Sequence, residues 1–103
     1  MPVAKTARLR AKPGSAELVK QAAQEYVALV KQHEPGTLFY AVVQEKEDPT
    51  VFLFFRISAD GEAAFDQHDK APYIQKYVDI FNGESIEPLF GIDYTFVASN
   101  WIA

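Results

Sequence analysis

The chain has 103 residues, of which 49% are hydrophobic and 14% aromatic. This length supports one hydrophobic core, so we expect a single domain over residues 1–103. The absence of cysteine excludes thiolate metal sites and a disulfide scaffold and fits a reducing, cytoplasmic location. With 14 acidic against 10 basic side chains the protein is not suited to a nucleic-acid backbone, and no apolar run approaches the roughly 20 residues of a membrane span.

The first third of the chain predicts a strand and a helix. Within residues 3–11, small or apolar residues alternate with polar ones, which is the period of a strand. Ser15 follows as a candidate N-cap and opens a helical stripe that runs to Val30. Pro35-Gly36 then ends the helix.

The middle of the chain predicts a hairpin. Residues 37–45 and 51–58 are apolar in both alternate sets, so we expect both faces of these two strands to be buried. The segment Glu47-Asp48-Pro49-Thr50 between them has the composition of a tight turn.

The last third predicts helical segments and a final strand. Asp60-Gly61 starts a short helix that carries His68, and Pro72 opens a second run that Asn82-Gly83 stops. The alternation of Phe90, Ile92, Tyr94 and Phe96 predicts the last strand.

The order of these elements defines an α+β, ferredoxin-like fold, βαββαβ, with an antiparallel sheet and its helices on one face. Two helices cover only one face of such a sheet, yet the two central strands are apolar on both. The most economical cover for the second face is the same face of another copy. We therefore expect a homodimer, a dimeric α+β barrel that closes around an apolar cavity.

Several stretches resemble the antibiotic biosynthesis monooxygenase family. They are Glu34-Pro35-Gly36-Thr37-Leu38-Phe39-Tyr40, Glu47-Asp48-Pro49-Thr50, Phe52-Leu53-Phe54-Phe55, Glu62-Ala63-Ala64-Phe65-Asp66-Gln67-His68 and Ala71-Pro72-Tyr73. The resemblance implies a dimeric α+β barrel. For the reaction it is less specific, because the family includes cofactor-free quinol or anthrone oxygenases, haem-degrading enzymes and small-molecule isomerases.

This chain departs from the family pattern at named positions. Members commonly have Ser-Pro-His-Phe where this chain has Ala71-Pro72-Tyr73-Ile74, and often an acid where this chain has Arg56. Haem-degrading members have an asparagine on the first strand, where this chain has none, and a tryptophan and a histidine where it has Ser58 and Val78. Because these haem-degrading residues are missing, the resemblance does not extend to haem degradation, and we expect no cofactor.

Cofactor-free oxygenation requires a base, and His68 is the candidate because imidazole titrates near neutral pH. The competing interpretation is that His68 caps its short helix. Tyr73 and Tyr77 lie four residues apart on one helical face, so both hydroxyls could hold a quinone-type carbonyl or a developing enolate. Two histidines so far apart give no metal signature, and we expect no metal site.

Arg56 interrupts an apolar strand and requires a partner. That partner is either an acid across the dimer, such as Asp93 or Glu45, or an anionic group of a substrate. Aromatic residues would form the walls around a planar substrate, although each fits simple core packing equally well. The candidates are Phe39 or Tyr40, Phe52 or Phe54, Tyr73, Tyr77, Phe81 and Phe96.

Three functions remain open from the sequence. The first is a homodimeric, cofactor-free monooxygenase of small aromatic quinols or anthrones, with His68, Tyr73 and Arg56 as catalytic residues. The second is a cofactor-independent isomerase or lyase of an enolisable molecule, using His68 and Arg56. The third is a non-catalytic barrel that binds a small apolar ligand. In each case the expected partners are a second copy and a small molecule, with neither nucleic acid nor membrane.

Overall fold

The computed structural model describes residues 2–59 and 73–100. These residues form six elements in chain order: β1 (Val3–Arg10), α1 (Ala16–His33), β2 (Thr37–Gln44), β3 (Val51–Ser58), α2 (Ile74–Glu84) and β4 (Phe90–Thr95). The strands form one antiparallel sheet in the order β2-β3-β1-β4. This confirms the ferredoxin-like α+β fold, while the short helix expected around His68 lies outside the described residues. Neither α1 nor α2 is long and apolar enough to cross a membrane.

The helix α1 begins and ends where the sequence predicts, but its N-cap works differently. Ser15 holds the N-cap position without a capping hydrogen bond from its side chain. Its hydroxyl instead donates to Glu84 Oε2 at 2.7 Å, which ties the start of α1 to the end of α2. At the other end, Lys31 lies in the last turn, where a cation interacts favourably with the helix dipole.

The helix α2 continues beyond the predicted stop at Asn82-Gly83 and ends at Glu84. The loop before α1 explains this difference. Lys12 Nζ donates to the Gly83 carbonyl at 2.7 Å, and the Lys12 amide donates to the Glu84 carbonyl at 2.9 Å. These bonds satisfy carbonyl groups that a helix end otherwise leaves free, so glycine does not end the helix here.

The turn between β2 and β3 is held by Asp48. Its Oδ1 accepts hydrogen bonds from the Thr50 amide at 3.1 Å and the Thr50 hydroxyl at 2.6 Å, and its Oδ2 contacts Arg10 Nη1 at 2.8 Å. The Thr50 bonds, followed by the Arg10 contact, lower the pKa of Asp48. The predicted hairpin is confirmed, because β2 and β3 pair from Thr37 to Gln44.

The core lies between the helices and one face of the sheet. On β1 and β3 the cross-strand pairs Leu9 with Phe52 and Ala7 with Phe54 belong to this helix-facing side. The buried cluster also takes in the apolar stripes of both helices, namely Val19, Ala22, Ala23, Tyr26, Val30, Ile74, Tyr77 and Phe81. The helices therefore bury only one alternate set of each strand.

The other side of the sheet is apolar and partly open, and we call it the open face. It carries the alternate set of side chains, of which the exposed large hydrophobic ones are Val43, Leu53, Phe90, Ile92 and Tyr94, while β1 contributes Arg8 and Arg10. Phe90 is the most exposed of these, at 66%. On the same face of β3, Val51 and Ile57 are buried within the single chain. From the sequence, both faces of β3 are expected to be buried, and the helices cover one of them.

A substitution at Leu9 tests the position of the core. It is 0% exposed, so Leu9→Ala is expected to lower the free energy of unfolding by about 2–5 kcal/mol, through lost burial and the cavity left behind. The control is Leu18→Ala on α1, because Leu18 is 49% exposed and its loss should stay within about 1 kcal/mol. Urea unfolding at one fixed protein concentration measures both. Equal losses would contradict the placement of the core.

Candidate functional site

A buried arginine lies at the centre of the helix-facing side of the sheet. Arg56 is only 9% exposed and occupies β3, between β2 and β1. Its cross-strand neighbours are Tyr40 on β2 and Lys5 on β1. Because paired residues of antiparallel strands point to the same side, all three belong to the helix-facing side of the sheet.

A cavity of about 160 Å³ opens beside Arg56. Its lining consists of Lys5, Thr6, Ala7, Tyr40, Phe54, Arg56 and Gly91. Ala7 and Gly91 face each other across the β1–β4 pair, and a Cβ at Gly91 would come no closer than 3.8 Å to the Thr6 carbonyl. The small residues at these two positions leave the space that the cavity occupies.

Tyr26, on α1, is the centre of an aromatic cluster that adjoins this cavity. Its ring centroid is 5.5 Å from that of Tyr40, 5.4 Å from Tyr77 and 5.6 Å from Phe81. Phe81 in turn packs edge-on against Phe54, a wall of the cavity, with 4.9 Å between centroids. One continuous aromatic layer thus connects α1, α2 and the cavity.

Glu34 adds a buried carboxylate to this layer. It follows the end of α1, is 7% exposed, and accepts hydrogen bonds from the hydroxyls of Tyr73 and, at 3.4 Å, Thr37. Its charge acts on Tyr26 and Tyr40 in the opposite sense to that of Arg56. Within residues 2–59 and 73–100, no three acidic or histidine side chains are grouped as metal ligands would be.

The tyrosines of the cluster keep their protons. Burial is the main cause that raises the pKa of Tyr26 and Tyr40 above the ordinary value of 10.0, while Arg56 lowers both to a smaller extent. Burial also raises the pKa of Tyr73, with help from Glu34, and that of Tyr77, with help from Glu25. At neutral pH these side chains are therefore neutral hydrogen-bond donors.

The structure places the predicted site residues in two connected groups. Arg56, Tyr40 and Phe54 line the cavity, while Tyr73, Tyr77 and Phe81 surround Tyr26. Phe52 is buried in the core and does not line the cavity beside Arg56. Phe96 is half-buried and follows β4, which ends at Thr95. The predicted base His68 lies outside the described residues.

The acids named as partners of Arg56 contact other bases. Asp93 is 3.5 Å from Lys5 and Glu45 is 3.3 Å from Arg8. Moreover, Arg56 belongs to the helix-facing side of the sheet and not to the open face, where a second copy would lie. The cavity of Arg56 is accordingly a cavity within one chain, and not the cavity between two chains that the sequence pattern predicts.

A second, larger cavity lies between α1 and β2, with a volume of about 390 Å³. Its lining is Lys20, Ala23, Gln24, Val27, Val42, Val43, Gln44 and Phe52. The only titratable group among these residues is the amine of Lys20. The combination of a charged group, a phenol and an aromatic wall occurs at the smaller cavity, which we therefore take as the candidate site.

Sequence reasoning did not single out Tyr26, Glu34 or Lys5 as site residues. Tyr26 is hidden among the apolar residues of the α1 stripe, and nothing in its spacing distinguishes it from core. Glu34 offers a signal, because an acid between a helix end and Pro35-Gly36 belongs to the segment that carries the family resemblance. Lys5 offers another, because it breaks the alternation of β1 on the side that should be apolar.

The element order βαββαβ, the antiparallel sheet and the site between the sheet and the helices together define a small ferredoxin-like α+β protein. A family model for antibiotic biosynthesis monooxygenases matches residues 2–80, so the chain belongs to that family. A search among curated protein sequences finds no match.

Solved structures share this fold over nearly the whole chain. A proposed antibiotic biosynthesis monooxygenase from Bacteroides thetaiotaomicron is 26% identical, with 99% of this chain and 95% of that chain covered and a TM-score of 0.87. Another, from Caulobacter crescentus, is 20% identical, with 94% and 91% covered and a TM-score of 0.86. Rv0793 from Mycobacterium tuberculosis is 16% identical, with 97% and 99% covered and a TM-score of 0.85. Membership of this family supports a general monooxygenase-like function.

The tyrosine cluster predicts a specific response to alkali. Above pH 10.0 the unfolded chain releases phenolic protons that the folded chain retains at Tyr26, Tyr40, Tyr73 and Tyr77, so the free energy of unfolding falls as the pH rises. We expect their tyrosinate absorbance to develop together with the loss of near-ultraviolet circular dichroism. The Tyr26→Phe variant keeps the ring but has one fewer titrating group, so its transition should be less steep. Full ionisation with unchanged circular dichroism would contradict the cluster.

Proposed function

We propose that this protein is a cofactor-free monooxygenase that oxidises small, single-ring quinols with dioxygen. The observation that carries the proposal is the ring-sized cavity in which buried Arg56 and the neutral hydroxyl of Tyr40 lie beside the aromatic wall of Phe54. Family membership supports the oxygenase part of the proposal. The cavity supports the choice of substrate.

The volume of the cavity favours one ring over several. A cavity of about 160 Å³ is close to the roughly 150 Å³ of an engineered cavity that binds benzene. The three fused rings of an anthrone would extend out of this cavity. We therefore narrow the quinol or anthrone substrates expected from the family to quinols with a single ring.

The reaction needs no external reductant, because the quinol itself supplies the electrons. Removal of a phenolic proton gives a phenolate that transfers one electron to dioxygen, and the two radicals combine to form a carbon–oxygen bond. Loss of water from the resulting peroxide leaves a hydroxyquinone. One oxygen atom enters the substrate, the other leaves as water, and the four electrons that reduce dioxygen come from the ring.

The described residues suit the charged stages of this reaction. The Arg56 guanidinium would stabilise the phenolate, and the Tyr40 hydroxyl would donate a hydrogen bond to an oxygen that gains charge. Phe54 would hold the ring, and the aromatic layer behind it would shield one side of the radical pair from water. We assign the proton abstraction to His68, for which the sequence alone provides the argument.

Oxygen uptake tests the proposal. Metal-stripped protein and a panel of hydroquinones and catechols should consume oxygen faster than autoxidation, and His68→Ala should lower the rate at least about 100-fold by removing the base. His33→Ala is the matched control and should retain activity, because His33 is exposed at the end of α1 and lies outside the cavity lining, although its ring centroid is 5.6 Å from that of Tyr73.

Three outcomes would contradict parts of this proposal. Unchanged uptake in His68→Ala would exclude His68 as the base. Conversion of substrate without oxygen would favour the isomerase or lyase. Binding without any turnover would favour the non-catalytic barrel.

We further propose that the protein is a homodimer joined through the open face. The support is the exposed apolar side chains on both sides of β1, Val43 and Leu53 on one side and Phe90 and Ile92 on the other, with Arg8 between them in the register. Large exposed apolar areas commonly mark protein–protein contact surfaces. Isologous pairing of this face with its copy would remove these side chains from water.

Phe90→Asp tests the dimer. Placing a charge at the most exposed apolar position of β4 should shift the protein from dimer to monomer, because an unpaired carboxylate is costly to bury. The control is Leu18→Asp, which puts the same charge at an exposed apolar position of α1. Light scattering at micromolar concentration measures both variants. A monomeric wild-type protein, or a Phe90→Asp variant that remains dimeric, would refute the interface.

A further inference from the structure

We infer that the cavity beside Arg56 prefers rings that carry a carboxylate, so that a quinol carboxylate is favoured as substrate over an uncharged quinol. This inference rests on the proposed function, because it assigns a substituent to the ligand of the same cavity. It is carried by the pairing of two basic residues across the cavity lining.

Lys5 and Arg56 are directly opposite each other in the register of β1 and β3. Directly paired residues of antiparallel strands have Cβ atoms about 4.5–5.5 Å apart, and like charges at such positions destabilise the sheet. Both residues line the cavity. An anion placed between them would offset this repulsion, which makes the pair suited to a negatively charged group.

The nearby acids, Asp93 and Glu34, do not line the cavity. Asp93 is opposite Lys5 on β4 at 3.5 Å, but its side chain is 79% exposed, and an ion pair so open to water contributes little. Glu34 belongs to the aromatic cluster and is not part of the cavity lining. Among the described lining residues there are two bases and no carboxylate.

Arg56 retains the capacity to bind a ligand even with its contacts inside the protein. A guanidinium carries five N–H donors in a planar fork, so it can bond to a neighbouring side chain and to a carboxylate at the same time. Arg56 is also 91% removed from solvent, since only 9% is exposed. A charge-assisted hydrogen bond formed in such a site is stronger than one formed in water.

The remaining lining fits the rest of an aromatic carboxylate. Phe54 provides a flat apolar wall. Ala7 on β1 and Gly91 on β4 are small, so they leave room for the ring where these two strands pair. Tyr40, the other cross-strand neighbour of Arg56, provides a hydroxyl donor for a phenolic oxygen. The ring would thus lie against Phe54, with its carboxylate between Lys5 and Arg56, and the Arg56 fork would keep further donors for the phenolate.

The test compares gentisate, a dihydroxybenzoate, with gentisamide, its uncharged amide, by calorimetry without oxygen. The wild-type protein should bind gentisate at least tenfold more tightly than gentisamide. In Arg56→Gln this ratio should fall to near one, whereas Arg56→Lys, which keeps the charge, should retain part of it. The control is Arg8→Gln, which removes a half-exposed arginine paired with Glu45 and should leave the ratio unchanged.

A second pair of variants separates charge from space. Gly91→Val fills the cavity without changing its charge, so it should weaken the binding of gentisate and gentisamide by similar factors. Lys5→Met should reduce the ratio without abolishing the binding of gentisamide. Together these variants distinguish recognition of the carboxylate from a general loss of the site.

The failure of this inference is distinct from the failure of the proposed function. Equal binding of the two probes, no binding of gentisate at millimolar concentration, or an unchanged ratio in folded Arg56→Gln would overturn the inference. If Arg56→Gln does not fold, a full wild-type ratio in Lys5→Met together with none in Arg56→Lys would also overturn it, since charge would then not set the preference. Carboxylate preference without oxygen uptake would support the inference and refute only the oxygenase proposal.

Discussion

The register of β3 against its two neighbours determines the chemistry of the helix-facing side. Strand residues alternate between two sides, so a shift by one position would move Arg56 to the open face and put Phe55 in its place. The observed register instead sets Arg56 between Tyr40 and Lys5. The Asp48 turn maintains this register at one end of β3, because it fixes the length of the connection between β2 and β3.

The same register imposes an energetic cost. Burying a guanidinium costs several kcal/mol unless it is paired and hydrogen-bonded, and a well-packed apolar residue would often be at least as stable. Tyr40 is a polar neighbour of Arg56. The hydroxyls of Tyr26 and Tyr40 interact electrostatically with each other, with Arg56 and with Glu34. A core that keeps such groups beside a cavity departs from simple packing rules, and such departures concentrate at functional sites.

The strands and α1 were predictable because each has a clear period and clear ends. β2 and β3 follow from two apolar alternate sets around the Asp48 turn, and α1 follows from its stripe and from Pro35-Gly36. The end of α2 was not predictable, because it depends on Lys12, a residue far away in sequence. Local pattern describes what a segment can form, and distant partners determine where it ends.

The site was predictable only in part, because it too depends on residues that are distant in sequence. Arg56, Tyr40 and Phe54 could be named as candidates, since a charge among aromatic residues on alternating strands stands out in the sequence. Their distribution between cavity and core could not be read, because it depends on Ala7 and Gly91, whose small size matters only once β1 and β4 are paired. Tyr26 was missed because a buried tyrosine on a helical stripe has the same period as any core residue.

The two faces of the sheet connect assembly with ligand binding through β4. Among the described strands, β4 lies at the edge of the sheet and pairs with β1, and its residues alternate between the faces. Gly91 lines the cavity, while its neighbours Phe90 and Ile92 belong to the open face. A second copy packed on the open face, as proposed, would hold β4 in place from the side opposite the cavity. Dimerisation would then stabilise the wall of the binding site without contributing a residue to it.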